Sequence, residues 1–252
     1  MGLTIHYGIR SKQRSGSTQK QLLTGLHKLA LELHNDGLLA EVDDVKHYDT
    51  QALEAINANP DHPDRWLYIT ANAYLDISQS PIISLCIPPL EVYSLSIWPG
   101  PGCADANFGL ARYPRTVERD GKTYPTKLPG WRWKSHIKTT YADHPLTAHL
   151  ALIALLDWLD QQPDLSLTVN DEGEYWQNRD VVALAREFCS DAQYLAGIAD
   201  AIANLNPNHT IQAPIMERAD YPELLQAEKS RLTTNHGDFT ALQALIKPLA
   251  NL

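Results

Sequence analysis

A chain of 252 residues, 44% of them apolar and 20% charged, is long enough to bury a core without metal or disulfide and too apolar for long disordered tails. Its formal net charge of −9 argues against wholesale binding to a phosphate backbone. Three dispersed cysteines, Cys86, Cys103 and Cys189, with no CxxC, exclude a zinc site of ordinary spacing and suit a reducing compartment.

The opening MGLTIHYGIRSKQRSG has no continuous apolar run behind its charges, so it does not read as a signal peptide. His6 stands where a myristoylation motif needs Ser or Thr. No stretch approaches about 18 uninterrupted apolar residues. The expectation is a cytoplasmic protein with no membrane partner. Charge is unevenly spread: residues 1–31 hold five cations and no carboxylate, and residues 112–138 hold eight against Glu118 and Asp120. Such asymmetry permits a local anion site on an acidic protein, although the same residues also read as ordinary solvated faces.

In chain order, Leu3, Ile5, Tyr7 and Ile9 alternate with polar neighbours, the two-residue period of a half-buried strand. Ser17 opens a helix whose Leu22, Leu23, Leu26, Leu29 and Leu33 share a face, and Gly37 stops it. Residues 39–48 return as a strand, and 49–64 make a short helix and a Pro-rich turn. RWLYITA, ISLCIPP and EVYSLSIW all read as strands. A rigid Pro99–Gly102 loop leads into CADANFGLARYP, residues 114–130 form an exposed hairpin-like excursion, and WKSHIKTTY resumes strand character. Near Asp143, with Pro145 in the first turn, begins a helix apolar nearly all round and therefore buried. Leu165, Leu167 and Val169 alternate as a strand. Asn178 then caps a long helix whose inner stripe starts at Val181, and Asp238 caps a last helix after an irregular stretch. Strands concentrate early and helices late, which predicts an α+β fold: a largely antiparallel sheet with helices packed on one side. The whole of 1–252 reads as one compact domain, with an irregular extension over 206–252 packing on it.

The familiar catalytic signatures are missing: no GxxxxGK[ST], no GxGxxG opening a helix, no HExxH and no GxSxG. Three segments carry the remaining chemistry. Cys103, Asp105 and Asn107 follow the Pro/Gly loop and precede Arg112; loops at strand ends often carry binding groups, though a tight turn explains the same residues. In Trp131–Lys138, alternation puts Lys134, His136 and Lys138 on one face, suited to an anion, a nucleotide or single-stranded nucleic acid, or simply to water. His149 lies on the face of its helix shared with Leu146, Ile153 and Leu156, and the next strand ends in Asp171 and Glu172. A neutral histidine beside a carboxylate is a workable general base, and adding His136 would make a metal-capable set. A core histidine bonded to a carboxylate accounts for the same pattern, and no metal is assigned.

GCADANFGLARYP, WRWKSHIKTTYA, HLALIALLDW and NDEGEYWQNRD together resemble an uncharacterised family of bacterial proteins, most clearly over 95–187, with LTIHYGI a weaker match. The resemblance implies no activity, cofactor or partner. His6-Tyr7-Gly8 also resembles the His-Tyr opening of some ADP-ribosyltransferases, over three residues only.

Two functions fit these residues. The first is a small-molecule or nucleotide-binding enzyme of hydrolase or transferase type, with its pocket lined by 99–112, 132–138 and 170–180. His149 or His136 would act as base, Asp171 or Glu172 would orient it, and Arg112 and Lys138 would hold an anionic group. The second is a non-enzymatic regulator or immunity-type protein using its six tryptophans and eleven tyrosines against a protein partner. No cofactor is implied by any motif.

Overall fold

The computed structural model describes residues 3–79, 82–139, 144–205 and 214–234. The elements are β1 (Thr4–Ser11), α1 (Gly16–Asn35), β2 (Glu41–Val42), β3 (Lys46–Tyr48), α2 (Thr50–Ala58), α3 (Arg65–Ala71), β4 (Ala73–Gln79) and β5 (Ile82–Ile87). They continue with β6 (Glu91–Trp98), β7 (Ala106–Arg112), β8 (Thr116–Arg119), β9 (Lys122–Pro125), β10 (Trp131–Lys138), α4 (Pro145–Asp160) and β11 (Leu165–Asp171). Last come α5 (Tyr175–Asn178), α6 (Val181–Leu205), α7 (Pro214–Glu217) and α8 (Tyr221–Thr234).

The fold is α+β, as the sequence predicts. A seven-stranded antiparallel sheet runs β11-β1-β10-β7-β6-β2, with β3 also on β6. The N-terminal strand is therefore interior, paired on one side with β10 and on the other with β11. Its alternation splits the sheet there. Ile5, Tyr7 and Ile9 are buried, while His6 and Arg10 are exposed. The helices α1 and α4 pack on each other and on the apolar face, joining Leu23, Leu26, Leu152 and Leu156 to one continuous core. As expected for an all-round apolar helix, α4 buries Ala148, His149, Ala151, Leu152, Ile153, Leu155, Leu156 and Leu159. The excursion at 114–130 holds the β8–β9 hairpin.

Four expectations are corrected. RWLYITA is a helix, α3, because the turn before it already delivers helical hydrogen bonds: Leu67 and Tyr68 N–H both donate to the Asp64 carbonyl. Its fully buried residues, Leu67 and Ala71, are four apart, one helical turn. The strand expected at 39–48 is broken into β2 and β3, both paired with β6. The stretch after 206 is not irregular throughout, since α7 and α8 lie within it and α8 packs on α6. The expected helix at Asp238 lies outside the described residues. Finally, Asp180 rather than Asn178 caps α6, accepting from the Val182 and Ala183 amides at 3.0 and 2.9 Å. The inner stripe starts at Leu184, and Val181 is 41% exposed.

The centre of the sheet is closed by a tryptophan, a tyrosine and a glycine. Trp133 Nε1 and Tyr7 Oη both donate to the Asn107 carbonyl at 2.7 Å, using both of its lone pairs. The Trp133 ring rests on Gly109, where an added Cβ would stand 2.8 Å from ring carbon. Overpacking of this kind costs about 1–3 kcal/mol. Gly109→Ala should therefore lower the unfolding free energy by that amount, read in urea as a lower midpoint with an unchanged slope.

Candidate functional site

The chain places its acid–base groups on two opposite sides of one strand end. Asp171 closes β11 and turns inward; Glu172 follows and is exposed. Inside, Asp171 Oδ2 receives His149 Nε2 at 3.2 Å, and both side chains are 0% exposed. The Trp176 amide donates to the same oxygen at 2.9 Å and the Gly173 amide to Oδ1 at 2.9 Å. His149 Nδ1 meets Thr139 Oγ1 at 3.1 Å, and Phe188 stands edge-on to the imidazole at 5.6 Å. Every polar atom of this buried triad thus has a partner. Burial raises the Asp171 carboxyl, but the His149 bond, then the Trp176 and Gly173 amides, more than reverse it, so it lies below the ordinary carboxylate value.

This pair joins the end of β11 to α4 and has no surface from which to meet a substrate. Truncating one partner of a buried ion pair typically costs about 3–5 kcal/mol. His149→Ala and Asp171→Ala should each destabilise by that order in chemical denaturation. Because the folded-state carboxyl is depressed, its contribution is complete above the unfolded value of about 3.9 and is lost as pH falls through the lower folded value. Stability measured from pH 6 downward should therefore fall less steeply below about pH 4 in Asp171→Asn than in wild type.

On the other face lies an open groove. Cross-strand register brings His6 opposite His136 and Asn170, Gly8 opposite Lys134 and Thr168, and Arg10 opposite Arg132 and Ser166. His6 and His136 stack with ring centroids 5.5 Å apart. Glu172 Oε1 lies 3.9 Å from His6 Nε2, while its Oε2 accepts the Thr4 amide at 2.8 Å. These residues floor a cavity of about 420 Å³ bounded by His6, Gly8, Lys134, His136, Thr168 and Asn170. A more enclosed cavity of about 440 Å³ adjoins it and shares Gly8, Lys134 and Thr168, adding Arg10, Arg132, Asn72, Tyr74 and Tyr113. Gly8 keeps the shared floor low, since a Cβ there would meet Thr168 Oγ1 at 2.8 Å.

The electrostatics of this face are one-sided. Among the described residues, Arg10, Arg132 and Lys134 form no ion pair. Arg132 is half-buried, its Nε has no hydrogen-bond partner, and Arg10 stands directly opposite it. Burial first, then Arg10, pull the Arg132 pKa below the ordinary guanidinium value. Like charges opposed across a ladder are destabilising.

The predicted residues are thus divided. His149 and Asp171 meet, but in the core. His136 lines the groove, Glu172 approaches His6 beside it, and Lys138 lies two residues beyond His136 on β10. The 99–112 segment does not line the groove. Cys103 accepts from Trp98 Nε1 at 3.1 Å through its carbonyl, and Asn107 Nδ2 bonds the Asp105 carbonyl at 3.3 Å. The Asp105 carboxyl is raised by burial and by Asp43 and Glu41, which places it at the β2 edge of the sheet. Arg112 is held by Glu91 at 3.1 Å, beside His47, which bonds the other Glu91 oxygen at 3.1 Å. No three His, Cys, Asp or Glu side chains among the described residues converge as a metal site. No described helix is long and apolar enough to cross a membrane. Sequence reasoning missed His6, Arg10 and Arg132 as site residues; the alternation in β1 and β10 was the available signal, and their pairing was the missing one. No protein-family model, curated protein or solved structure matches the chain.

Proposed function

We propose that the groove over β11, β1 and β10 binds an anionic small molecule, and that the protein is an enzyme of hydrolase or transferase type acting on it. The observation that carries this reading is Arg132: a half-buried guanidinium, opposed by Arg10, with no carboxylate among the described residues paired to either. A phosphate or carboxylate in the groove supplies the missing countercharge, and guanidinium forks match such groups in geometry. The recessed position favours a small ligand over a protein partner, because the cations lie in cavities of the size that small molecules occupy.

His6 and His136 supply the acid–base chemistry in this reading. They face the same cavity, and Glu172 Oε1 lies 3.9 Å from His6 Nε2. One imidazole accepts the proton of the attacking water or hydroxyl, and the other returns a proton to the leaving oxygen.

Two measurements test the proposal. Titration calorimetry with inorganic pyrophosphate should show saturable binding that Arg132→Gln weakens by roughly 10–100-fold, the worth of one charge-assisted contact. The unliganded variant should melt no lower than wild type, because the change relieves Arg10 of a like charge. Binding indifferent to Arg132→Gln refutes the anion site. Hydrolysis of p-nitrophenyl phosphate should fall about 100-fold or more in His136→Asn and in His6→Asn. Turnover unchanged in both variants removes the histidines from the chemistry.

A further inference from the structure

The enclosed cavity is larger than an anion needs, and its walls differ from its floor. Asn72 and Tyr74, which follow the C-terminus of α3, line it together with Tyr113, Leu128 and Trp133. Tyr113 is held in place, its hydroxyl donating to the Ala71 carbonyl at 2.6 Å. Tyr74 is the reverse case: it is 65% exposed at the lip, an aromatic ring left in water. Asn72 is the amide among these aromatic walls, and its Oδ1 has no hydrogen-bond partner.

We propose that this cavity takes a flat heteroaromatic ring, so that the ligand is a nucleotide or a nucleotide-like phosphate ester. The inference rests on the anion reading and adds the substrate class to it. The ring lies against Tyr74, where stacking covers surface now exposed, and Tyr113 supplies a second aromatic wall that is fixed in place. Asn72 in the lining offers its Nδ2 to the ring edge, since its Oδ1 is buried. The phosphate sits over the shared floor of Gly8, Lys134 and Thr168, with Arg132 on the ring side and His136 on the open side. The open cavity beyond, bounded by His6, His136 and Asn170, is left for the attacking or departing group.

The ordering of cations and aromatics separates this ligand from a strand of nucleic acid. Single-strand binders repeat stacking platforms along a charged track. Here Tyr74 and Tyr113 flank one cavity, while the only tyrosine in the described lining of the neighbouring one, Tyr7, is buried with its hydroxyl bonded to the Asn107 carbonyl. One ring and one phosphate fill what the face provides.

Calorimetry on the full chain with adenosine 5′-monophosphate, uridine 5′-monophosphate and ribose 5-phosphate tests it. At least one nucleotide should bind on the order of tenfold tighter than ribose 5-phosphate, the contribution of one stacked base. Tyr74→Ala should abolish that margin and leave ribose 5-phosphate unchanged, while Tyr74→Phe should retain it. Tyr74 is exposed, so neither change threatens folding. Equal affinity for all three compounds, or a margin indifferent to Tyr74→Ala, overturns the ring cavity and leaves the anion site standing. Absence of binding by all three, and by pyrophosphate, overturns both. A ten-nucleotide single strand binding more than tenfold tighter than either mononucleotide overturns the small-molecule assignment in favour of nucleic acid.

Discussion

The structure depends on β1 being hydrogen-bonded along both edges. Its partners, β10 and β11, come from the second half of the chain, so the first strand waits for most of the sequence before it is enclosed. The pairing is in unbroken register from Thr4 to Ser11 on the β10 side. A slip of one residue would turn Ile5, Tyr7 and Ile9 to water and His6 and Arg10 into the core. The hydrophobic face therefore fixes the register, and the register fixes the groove. His6 meets His136, and Arg10 meets Arg132, because Ile5, Tyr7 and Ile9 must be buried.

The end of β11 shows how a structural pair and a surface site can share one segment without sharing a role. Asp171 and Glu172 are adjacent in sequence and opposite in fate: one is sealed against His149, the other is exposed beside His6. The Gly173 and Trp176 amides that bind Asp171 also set the path of the chain beyond Glu172. Through that geometry the buried histidine holds a surface carboxylate in place. A change at His149 would then weaken function through position as well as stability, and a loss of activity there is not by itself evidence of a catalytic base.

Much of this was legible in the sequence because it is local. Alternation at Leu3–Ile9 and at Leu165–Val169 identified β1 and β11, and the all-round apolar 146–159 run identified α4 as buried. The approach of His149 to the 170–174 carboxylates followed from the helix preceding that strand. That the pair would be wholly enclosed did not follow, because α6, distant in sequence from α4, brings Phe188 against His149 and Leu184 to Gly173. RWLYITA failed for a related reason: a seven-residue apolar run satisfies both periods, and the hydrogen bonds of the preceding turn decide between them. Cys103 and Asp105 drew attention as chemistry-bearing residues in a rigid loop, yet the sheet order carries that loop to the β2 edge, away from β1. Arg132 was visible as a residue and invisible as a site. What marks it is the absence of a counter-ion, a property of its surroundings in three dimensions.

The charge distribution gives the proposed ligand its size limit. The chain carries a net charge of −9, while Arg10, Arg132 and Lys134 line adjoining cavities without carboxylate partners. At physiological ionic strength a charge is felt over roughly 8 Å. An anion small enough to lie within the groove therefore meets mainly these cations. A polyanion extends beyond that range, so each further phosphate gains less from these three cations. An acidic protein with a cationic recess thus selects for short anions by the range of the Coulomb force alone.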